Sequence, residues 1–286
     1  MSCEYREFNY QSVDGLALFC REYRPAAPAG TVVCLPGLTR NSRDFTAIAR
    51  GLARRYRVLT PDLRGRGFSQ WDPNWTNYQP PLYYQDVLKL IRESAEEPVA
   101  LIGTSLGGIL AMALAATVPA QVAGIVINDV GPEVNAGGLA RIGQYVGLRA
   151  APGTWPEALA HAKANYASAY SDLDEAGWLE YTKACYRENA QGVVVADYDP
   201  KIGDALRAAQ GVTSDLWPVW AMLAAKPVLA IRGAHSDILT AATLDRMARE
   251  KPDLEQIEVA NRGHAPLLNE PGVLPKIEAF FAKLFP

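Results

Sequence analysis

Cysteine and histidine are scarce in this sequence of 286 residues. The four cysteines show neither the spacing of a zinc site nor that of a disulfide framework: Cys3, Cys20, Cys34 and Cys185. We therefore expect reduced, partly buried thiols in a cytoplasmic protein that binds no metal. The 3 histidines leave few candidates for an imidazole that acts as a base.

An excess of charge of one sign is also lacking, since the formal net charge is −3. This balance argues against nucleic acid or an anionic membrane surface as a partner. Residues 1–7 carry charges and no apolar core, so we expect no signal peptide. The length and the 49% hydrophobic content suit one large domain, or a core with an insertion.

One uncharged run, Val99–Val118, has the hydropathy of a membrane span. Glycine and hydroxyl residues interrupt it after Ile102, and Pro119 ends it. We therefore predict a buried strand followed by a short helix, and no membrane partner.

The interruption has the sequence Gly103-Thr104-Ser105-Leu106-Gly107. A Gly-x-Ser-x-Gly turn between a strand and a helix is the pattern of a nucleophile elbow, which lifts a serine hydroxyl clear of the sheet. Larger side chains two residues before or after the serine would collide with the packed strand and helix. The pattern predicts Ser105 as a nucleophile.

A serine nucleophile needs an adjacent base and an acid that orients the base. His264 follows the last predicted strand, where functional loops of a parallel sheet gather, and we predict it as the base. Two aspartates stand at strand ends between the serine and this histidine, namely Asp129 and Asp237. We favour Asp237 as the acid, because the glycine before its loop would let the loop bend toward His264. Asp129 remains the alternative.

An oxyanion hole requires two backbone N–H groups beside the serine. One should come from Leu106, at the start of the helix after the elbow. The other should come from Leu38, in the loop after a buried strand, where Gly37 would let the backbone turn toward the site. Arg40 follows closely, and it either meets a substrate carboxylate or is a solvated loop arginine.

The remaining patterns alternate strand and helix, which predicts an α/β fold with a parallel sheet covered on both faces. A hairpin, Tyr5–Ser12 with Leu16–Tyr23, precedes this alternation. Strands are predicted at Thr31–Leu35, Tyr56–Thr60, Pro98–Ile102, Val122–Val130, Pro227–Gly233 and Gln256–Ala260.

Between Gly131 and Lys226 the alternation stops, and helical patterns dominate. The predicted helices are Leu139–Arg149, Trp155–Ala167, Asp174–Glu188, Asp199–Ala208 and Ser214–Ala225. The block is rich in aromatic residues, including Trp155 and Trp217. These rings either line an apolar substrate pocket or form the core of the insertion itself.

Five segments together resemble the α/β-hydrolase superfamily over essentially the whole chain. They are the oxyanion loop Leu35–Leu38, the turn Asp62–Ser69, the elbow Gly103–Gly107, Ser236–Asp237, and Gly263–His264 followed by Asn269–Pro271. One departure is Pro36-Gly37, where many members carry His-Gly. Only backbone donors are needed there, so the hole itself is retained.

The resemblance implies an eight-stranded, mostly parallel sheet with helices on both faces and a helical cap inserted after strand six. Residues 1–130 and 227–286 would form the core, and residues 131–226 the cap. In this family the turn at Asp62–Ser69 mostly holds loops in place. A serine at the elbow argues against haloalkane dehalogenases and epoxide hydrolases, which carry aspartate there.

We therefore expect a serine hydrolase that cleaves a carboxylic ester or related acyl bond of a small to medium, apolar substrate through an acyl-enzyme. No cofactor is implied. One alternative is a carbon–carbon bond hydrolase acting on a diketone-type substrate. Another is a non-catalytic ligand receptor on the same scaffold, and a homo-oligomer is left open.

Overall fold

The apolar runs of the sequence form strands in the computed structural model, which describes residues 5–95, 98–147, 152–209 and 215–286. The strands are β1 (Tyr5–Gln11), β2 (Ala17–Tyr23), β3 (Thr31–Leu35), β4 (Arg57–Pro61), β5 (Val99–Thr104), β6 (Val122–Asn128), β7 (Tyr186–Glu188), β8 (Val194–Ala196), β9 (Val228–Gly233) and β10 (Glu255–Val259).

Eight of these strands pair in the order β1-β2-β4-β3-β5-β6-β9-β10. The first hairpin is antiparallel, and β2 pairs antiparallel with β4. All the other pairings in this sheet are parallel. Because parallel strands end at the same edge, the loops after β3, β5, β6, β9 and β10 gather there. The predicted eight-stranded, mostly parallel sheet is confirmed.

Ten α-helices are described along the chain. They are α1 (Thr46–Leu52), α2 (Pro80–Ser94), α3 (Leu106–Thr117), α4 (Ala136–Gly143), α5 (Trp155–Tyr166), α6 (Glu175–Cys185), α7 (Ile202–Ala208), α8 (Trp217–Ala221), α9 (Ala241–Glu250) and α10 (Val273–Leu284). No helix among the described residues is long and apolar enough to cross a membrane. The uncharged run instead forms β5 and α3, as predicted.

Helices cover both faces of the sheet. Val33 and Leu35 of β3 belong to one apolar cluster, which also contains side chains of α2, α3 and α9. Val32 and Cys34 belong to a second cluster, with side chains of α1 and α10. Burial on both faces explains why the central strands are continuous apolar runs rather than alternating ones.

The segment between β6 and β9 contains α4 to α8 and the hairpin of β7 with β8. The predicted helix Asp174–Glu188 is too long, because its last three residues form β7 and pair with β8. The predicted helix that begins at Leu139 starts earlier and ends at Gly143. Three positions of predicted helices, namely Leu148, Arg149 and Ser214, lie outside the described residues.

Candidate active site

Ser105 occupies a strained turn between β5 and α3, with a φ of 53°. A Cβ atom added at Gly103 would lie 2.2 Å from the carbonyl oxygen of Gly107. One added at Gly107 would lie 2.0 Å from the carbonyl oxygen of Leu35. Both contacts are with backbone, which cannot move aside as a flexible side chain would. The two glycines therefore let strand and helix pack closely enough to hold the serine in this conformation.

His264 connects the serine to a buried carboxylate. Its Nε2 atom lies 2.9 Å from the Ser105 hydroxyl oxygen. Its Nδ1 atom lies 2.8 Å from Oδ2 of Asp129, whose side chain is fully buried. The three side chains thus form one hydrogen-bonded line, drawn from the ends of β5, β6 and β10.

Asp129 is held by contacts along the neighbouring strand. Its backbone N–H donates to the carbonyl of Ile231, and its Oδ1 accepts from the N–H of Gly233 at 2.8 Å. Its Oδ2 also accepts from the Ser236 hydroxyl at 2.6 Å. Every donor holds the carboxylate in the orientation that faces His264. Ser236 was not predicted as a site residue, and its position beside Asp237 was the available signal.

Asp237 does not contact His264, which corrects the prediction that it orients this histidine. Its two carboxylate oxygens accept from Arg141 of α4 at 2.5 and 2.9 Å. The hydrogen bond from Arg141 lowers the pKa of Asp237 below its usual value. The loop after β9 turns Ser236 toward Asp129 and leaves Asp237 paired with the inserted segment. Asp129 takes the place beside His264, and this is the alternative that the sequence left open.

The loop that carries His264 is held by hydrogen bonds from both the sheet and the inserted segment. Asn128, the last residue of β6, donates to the carbonyl of Pro266 at 2.9 Å. From the inserted segment, the Tyr170 hydroxyl donates to the carbonyl of Ala265 at 2.8 Å. The N–H of Gly263 donates to the carbonyl of Ala169 at 2.8 Å. The position of the imidazole therefore depends on both the sheet and the insertion.

The oxyanion hole formed by the N–H groups of Leu38 and Leu106 stays a prediction. Leu106 is the first residue of α3, so its N–H has no acceptor within the helix. Leu38 lines the same cavity as Ser105, and its carbonyl accepts from buried Arg66 at 2.8 Å. Gly37 does not have a left-handed φ, so its backbone conformation does not itself require a glycine. A methyl group at Gly37 would lie 3.7 Å from Cβ of Ser105, at the cavity wall.

The turn that follows β4 holds neighbouring loops, as the family resemblance implies. Asp62 accepts from the N–H of Ser42 at 2.6 Å and from the N–H of Phe68 at 2.9 Å. Burial raises the pKa of Asp62 to about 6. Arg64 is fully buried among Asp14, Asp72 and Asp86.

A cavity of about 160 Å³ opens above Ser105 and His264. Its other wall comes from four tyrosines of the inserted segment: Tyr145, Tyr166, Tyr170 and Tyr181. Burial raises the pKa of each of these phenols, so they remain protonated and can donate hydrogen bonds. The cavity therefore combines aromatic surface with a few polar groups, as small-molecule sites do.

Arg40 lines this cavity, but its charge is already compensated. Its guanidinium donates to both oxygens of Asp44, at 2.7 and 2.6 Å. It also lies over the ring of Tyr181 and contacts the thiol of Cys185. The role of a solvated loop arginine is wrong, because Arg40 is an interior contact between the sheet loops and the insertion. A contact with a substrate carboxylate stays a prediction.

The two tryptophans do not line the cavity, which corrects the prediction that they bind substrate. Trp155 packs against the apolar cluster within the inserted segment. The ring of Trp217 lies under the guanidinium of Arg246, and its Nε1 donates to Glu133 at 3.3 Å. Helical spacing does not distinguish a ring that packs within the insertion from one that lines a substrate pocket.

Three of the cysteines are free and buried, namely Cys20, Cys34 and Cys185. Cys3 lies outside the described residues. Within the described ranges, no group of three or more histidine, cysteine, aspartate or glutamate side chains could hold a metal ion.

Comparison with known proteins gives consistent matches. Residues 32–274 match the model of the Alpha/beta hydrolase family. The 3-hydroxybutyrate-oligomer hydrolase of Cupriavidus necator is 34% identical over 265 residues, covering 90% of this chain and 89% of that protein. The 2-(acetamidomethylene)succinate hydrolase of Mesorhizobium japonicum is 29% identical over 230 residues, covering 80% and 79%. An alpha/beta hydrolase crystal structure from Novosphingobium aromaticivorans, 41% identical, has a TM-score of 0.92 and covers 99% of this chain and 100% of that chain.

Proposed function

Because the chain belongs to the alpha/beta hydrolase family, we propose that this hydrolase cleaves carboxylic esters with Ser105 as its nucleophile. The observation that carries the proposal is the continuous line of hydrogen bonds from Ser105 through His264 to Asp129. A serine hydroxyl is a weak nucleophile unless a base removes its proton. In this line the base is already within hydrogen-bond distance.

The first half of the reaction forms an acyl-enzyme. Ser105 Oγ attacks the ester carbonyl carbon while His264 Nε2 takes the hydroxyl proton. The buried carboxylate of Asp129 stabilises the resulting imidazolium and keeps Nδ1 protonated. The N–H groups of Leu38 and Leu106 donate to the carbonyl oxygen as it becomes negative. His264 then gives its proton to the departing alkoxide, which leaves as the alcohol.

The second half releases the acid. A water molecule attacks the acyl carbon and gives a proton to His264 Nε2. The tetrahedral intermediate uses the same two N–H donors, and its collapse breaks the bond to Ser105. His264 returns the proton to Ser105 Oγ, which restores the free enzyme without a cofactor.

We further propose that residues 131–226 act as a cap that selects small to medium acyl substrates. Support comes from the four tyrosines that this segment places in the cavity wall, and from the cavity volume of about 160 Å³. The name of the Cupriavidus necator relative favours an ester over a carbon–carbon bond. Its hydroxy-acid oligomer is joined by ester bonds, and the present chain aligns with nearly all of that protein.

The test combines active-site labelling with a substrate panel. A fluorophosphonate should label wild-type protein at Ser105, and Ser105→Ala should remain unlabelled while folding normally. The variant should lose about 10⁴- to 10⁶-fold in kcat toward p-nitrophenyl esters. A lactone and a vinylogous diketone, assayed beside the ester panel, test for lactone hydrolysis and for carbon–carbon bond cleavage. Near-full turnover by Ser105→Ala, or a preference for the diketone over all esters, would refute the proposal.

A further inference from the structure

A second cavity, of about 300 Å³, adjoins the first. Four residues line both cavities, namely Thr39, Arg40, Tyr145 and Tyr166. The reaction described above requires only the first cavity, so this larger space has no assigned role. A substrate that extends from Ser105 past the shared wall would enter it.

The lining of this second cavity is cationic. Arg187 follows α6 and His161 lies on α5, and both face the space together with Arg40. No aspartate or glutamate is among the lining residues that the structure describes. Asn165 lies four residues after His161 on the same face of α5, and it also lines the cavity. Cation and amide donors therefore converge without a carboxylate among them.

The positive charge available here comes from Arg187 rather than Arg40. Arg40 is paired with both oxygens of Asp44. Arg187 is paired with buried Asp197 at 2.7 Å, but the same carboxylate also takes a hydrogen bond from Arg43 at 2.5 Å. One carboxylate thus faces two guanidinium groups, and among the described residues no second carboxylate is paired with either of them. The Arg187 side chain is 36% exposed, so a ligand can reach it.

We propose that the second cavity binds the carboxylate of an acid-terminated ester whose scissile bond lies at Ser105. Arg187 supplies the charge, and His161 and Asn165 supply further hydrogen-bond donors. The inference rests on the proposed ester hydrolysis and names its substrate class: half-esters of dicarboxylic acids, or esters whose alcohol is a hydroxy acid. A guanidinium suits this role because it donates two parallel hydrogen bonds to a carboxylate.

The first measurement compares matched substrates on the wild-type enzyme. Mono-p-nitrophenyl esters of dicarboxylic acids with four to eight carbon atoms are compared with p-nitrophenyl esters of monocarboxylic acids of equal length. A second series places the carboxylate on the alcohol side, as butyrate esters of hydroxy acids against the same esters with the acid capped as an amide. In one of the two series, and at one chain length, the substrate with a free carboxylate should have about tenfold higher kcat/KM than its neutral counterpart, mainly through a lower KM. The series that shows the preference identifies the side that enters the cavity.

The second measurement uses charge variants of the inserted segment. Arg187→Met should reduce the acid-to-neutral ratio of kcat/KM about tenfold, and His161→Gln should reduce it by a smaller factor. If loss of the ion pair with Asp197 prevents Arg187→Met from folding, His161→Gln provides the test instead. Lys183→Met is the matched control, since Lys183 is an exposed lysine of α6 that does not line the cavity. That control should leave the ratio unchanged.

The outcomes separate this inference from the proposed function. If wild type cleaves neutral esters but prefers no acid-bearing ester in either series, the carboxylate site is refuted and ester hydrolysis stands. The same holds if Lys183→Met lowers the ratio as much as Arg187→Met, because the effect would then reflect overall charge. If wild type cleaves no ester and takes no fluorophosphonate label, the proposed function itself fails.

Discussion

Replacement of Asp129 by asparagine tests the hydrogen-bonded line most directly. Oδ1 of Asp129 accepts from the N–H of Gly233 at 2.8 Å. The asparagine must therefore place its side-chain oxygen toward Gly233, because its NH₂ group there would face another donor. Its NH₂ group then faces Nδ1 of His264. The imidazole must accept at Nδ1 and carry its proton on Nε2, which lies 2.9 Å from the Ser105 hydroxyl. A protonated Nε2 cannot take the Ser105 proton.

The wrong tautomer should lower kcat by about 10⁴-fold. At about 1.36 kcal/mol per tenfold, this corresponds to about 5.5 kcal/mol of lost transition-state stabilisation. KM should change little, because Asp129 is buried behind His264 and does not line the cavity. The assay is steady-state hydrolysis of a p-nitrophenyl ester, with circular dichroism and thermal unfolding to confirm that the variant is folded.

Asp237→Asn is the matched control, because it makes the same chemical change at the neighbouring candidate. Its partner is Arg141, and the two side chains are 33% and 41% exposed. A partly exposed ion pair contributes at most about 1 kcal/mol, so kcat should fall by less than about fivefold. Two results would refute the reasoning: a folded Asp129→Asn enzyme within tenfold of wild type, or a larger loss in Asp237→Asn than in Asp129→Asn.

Two further predictions concern the groups that support the site. Ser236→Ala removes a 2.6 Å hydrogen bond to Asp129, so kcat should fall about three- to tenfold. A folded Ser236→Ala enzyme with wild-type kcat would argue against this role. Gly107→Ala should lower the free energy of unfolding in urea by about 3 kcal/mol, since its Cβ would meet the Leu35 carbonyl oxygen at 2.0 Å. Gly37→Ala, with no contact under 3.4 Å, should unfold like wild type.

The predictions that succeeded were those that depend on local pattern. Continuous apolar runs indicated strands buried on both faces, and β3, β4, β5, β6 and β9 are buried along nearly their whole length. The elbow glycines indicated a close approach of strand and helix, which the distances at Gly103 and Gly107 bear out. The start of the helix after Ser105 was also predictable, because the pattern of the elbow defines its first residue. Each of these features is set by residues adjacent in sequence.

The predictions that failed required knowledge of how distant segments meet. Helical spacing predicted that Asp174–Glu188 forms one helix, but its last three residues form a strand that pairs with β8. Aromatic content drew attention to Trp155 and Trp217, whereas the cavity is lined by tyrosines. A tryptophan that packs within the insertion and a tyrosine that faces Ser105 have the same helical periodicity.

The sequence by itself determined the fold class, and it supplied Ser105, His264 and two carboxylates as candidates, because motifs and strand ends can be read from neighbouring residues. Only the tertiary structure decided between the carboxylates. Asp129 and Asp237 both follow strands that end at the same edge of the sheet, so no pattern separates them. The choice depends on the pairing of β6 with β9, which points Asp129 at His264, and on α4, whose Arg141 binds Asp237. Both are long-range contacts, and a linear sequence does not contain them.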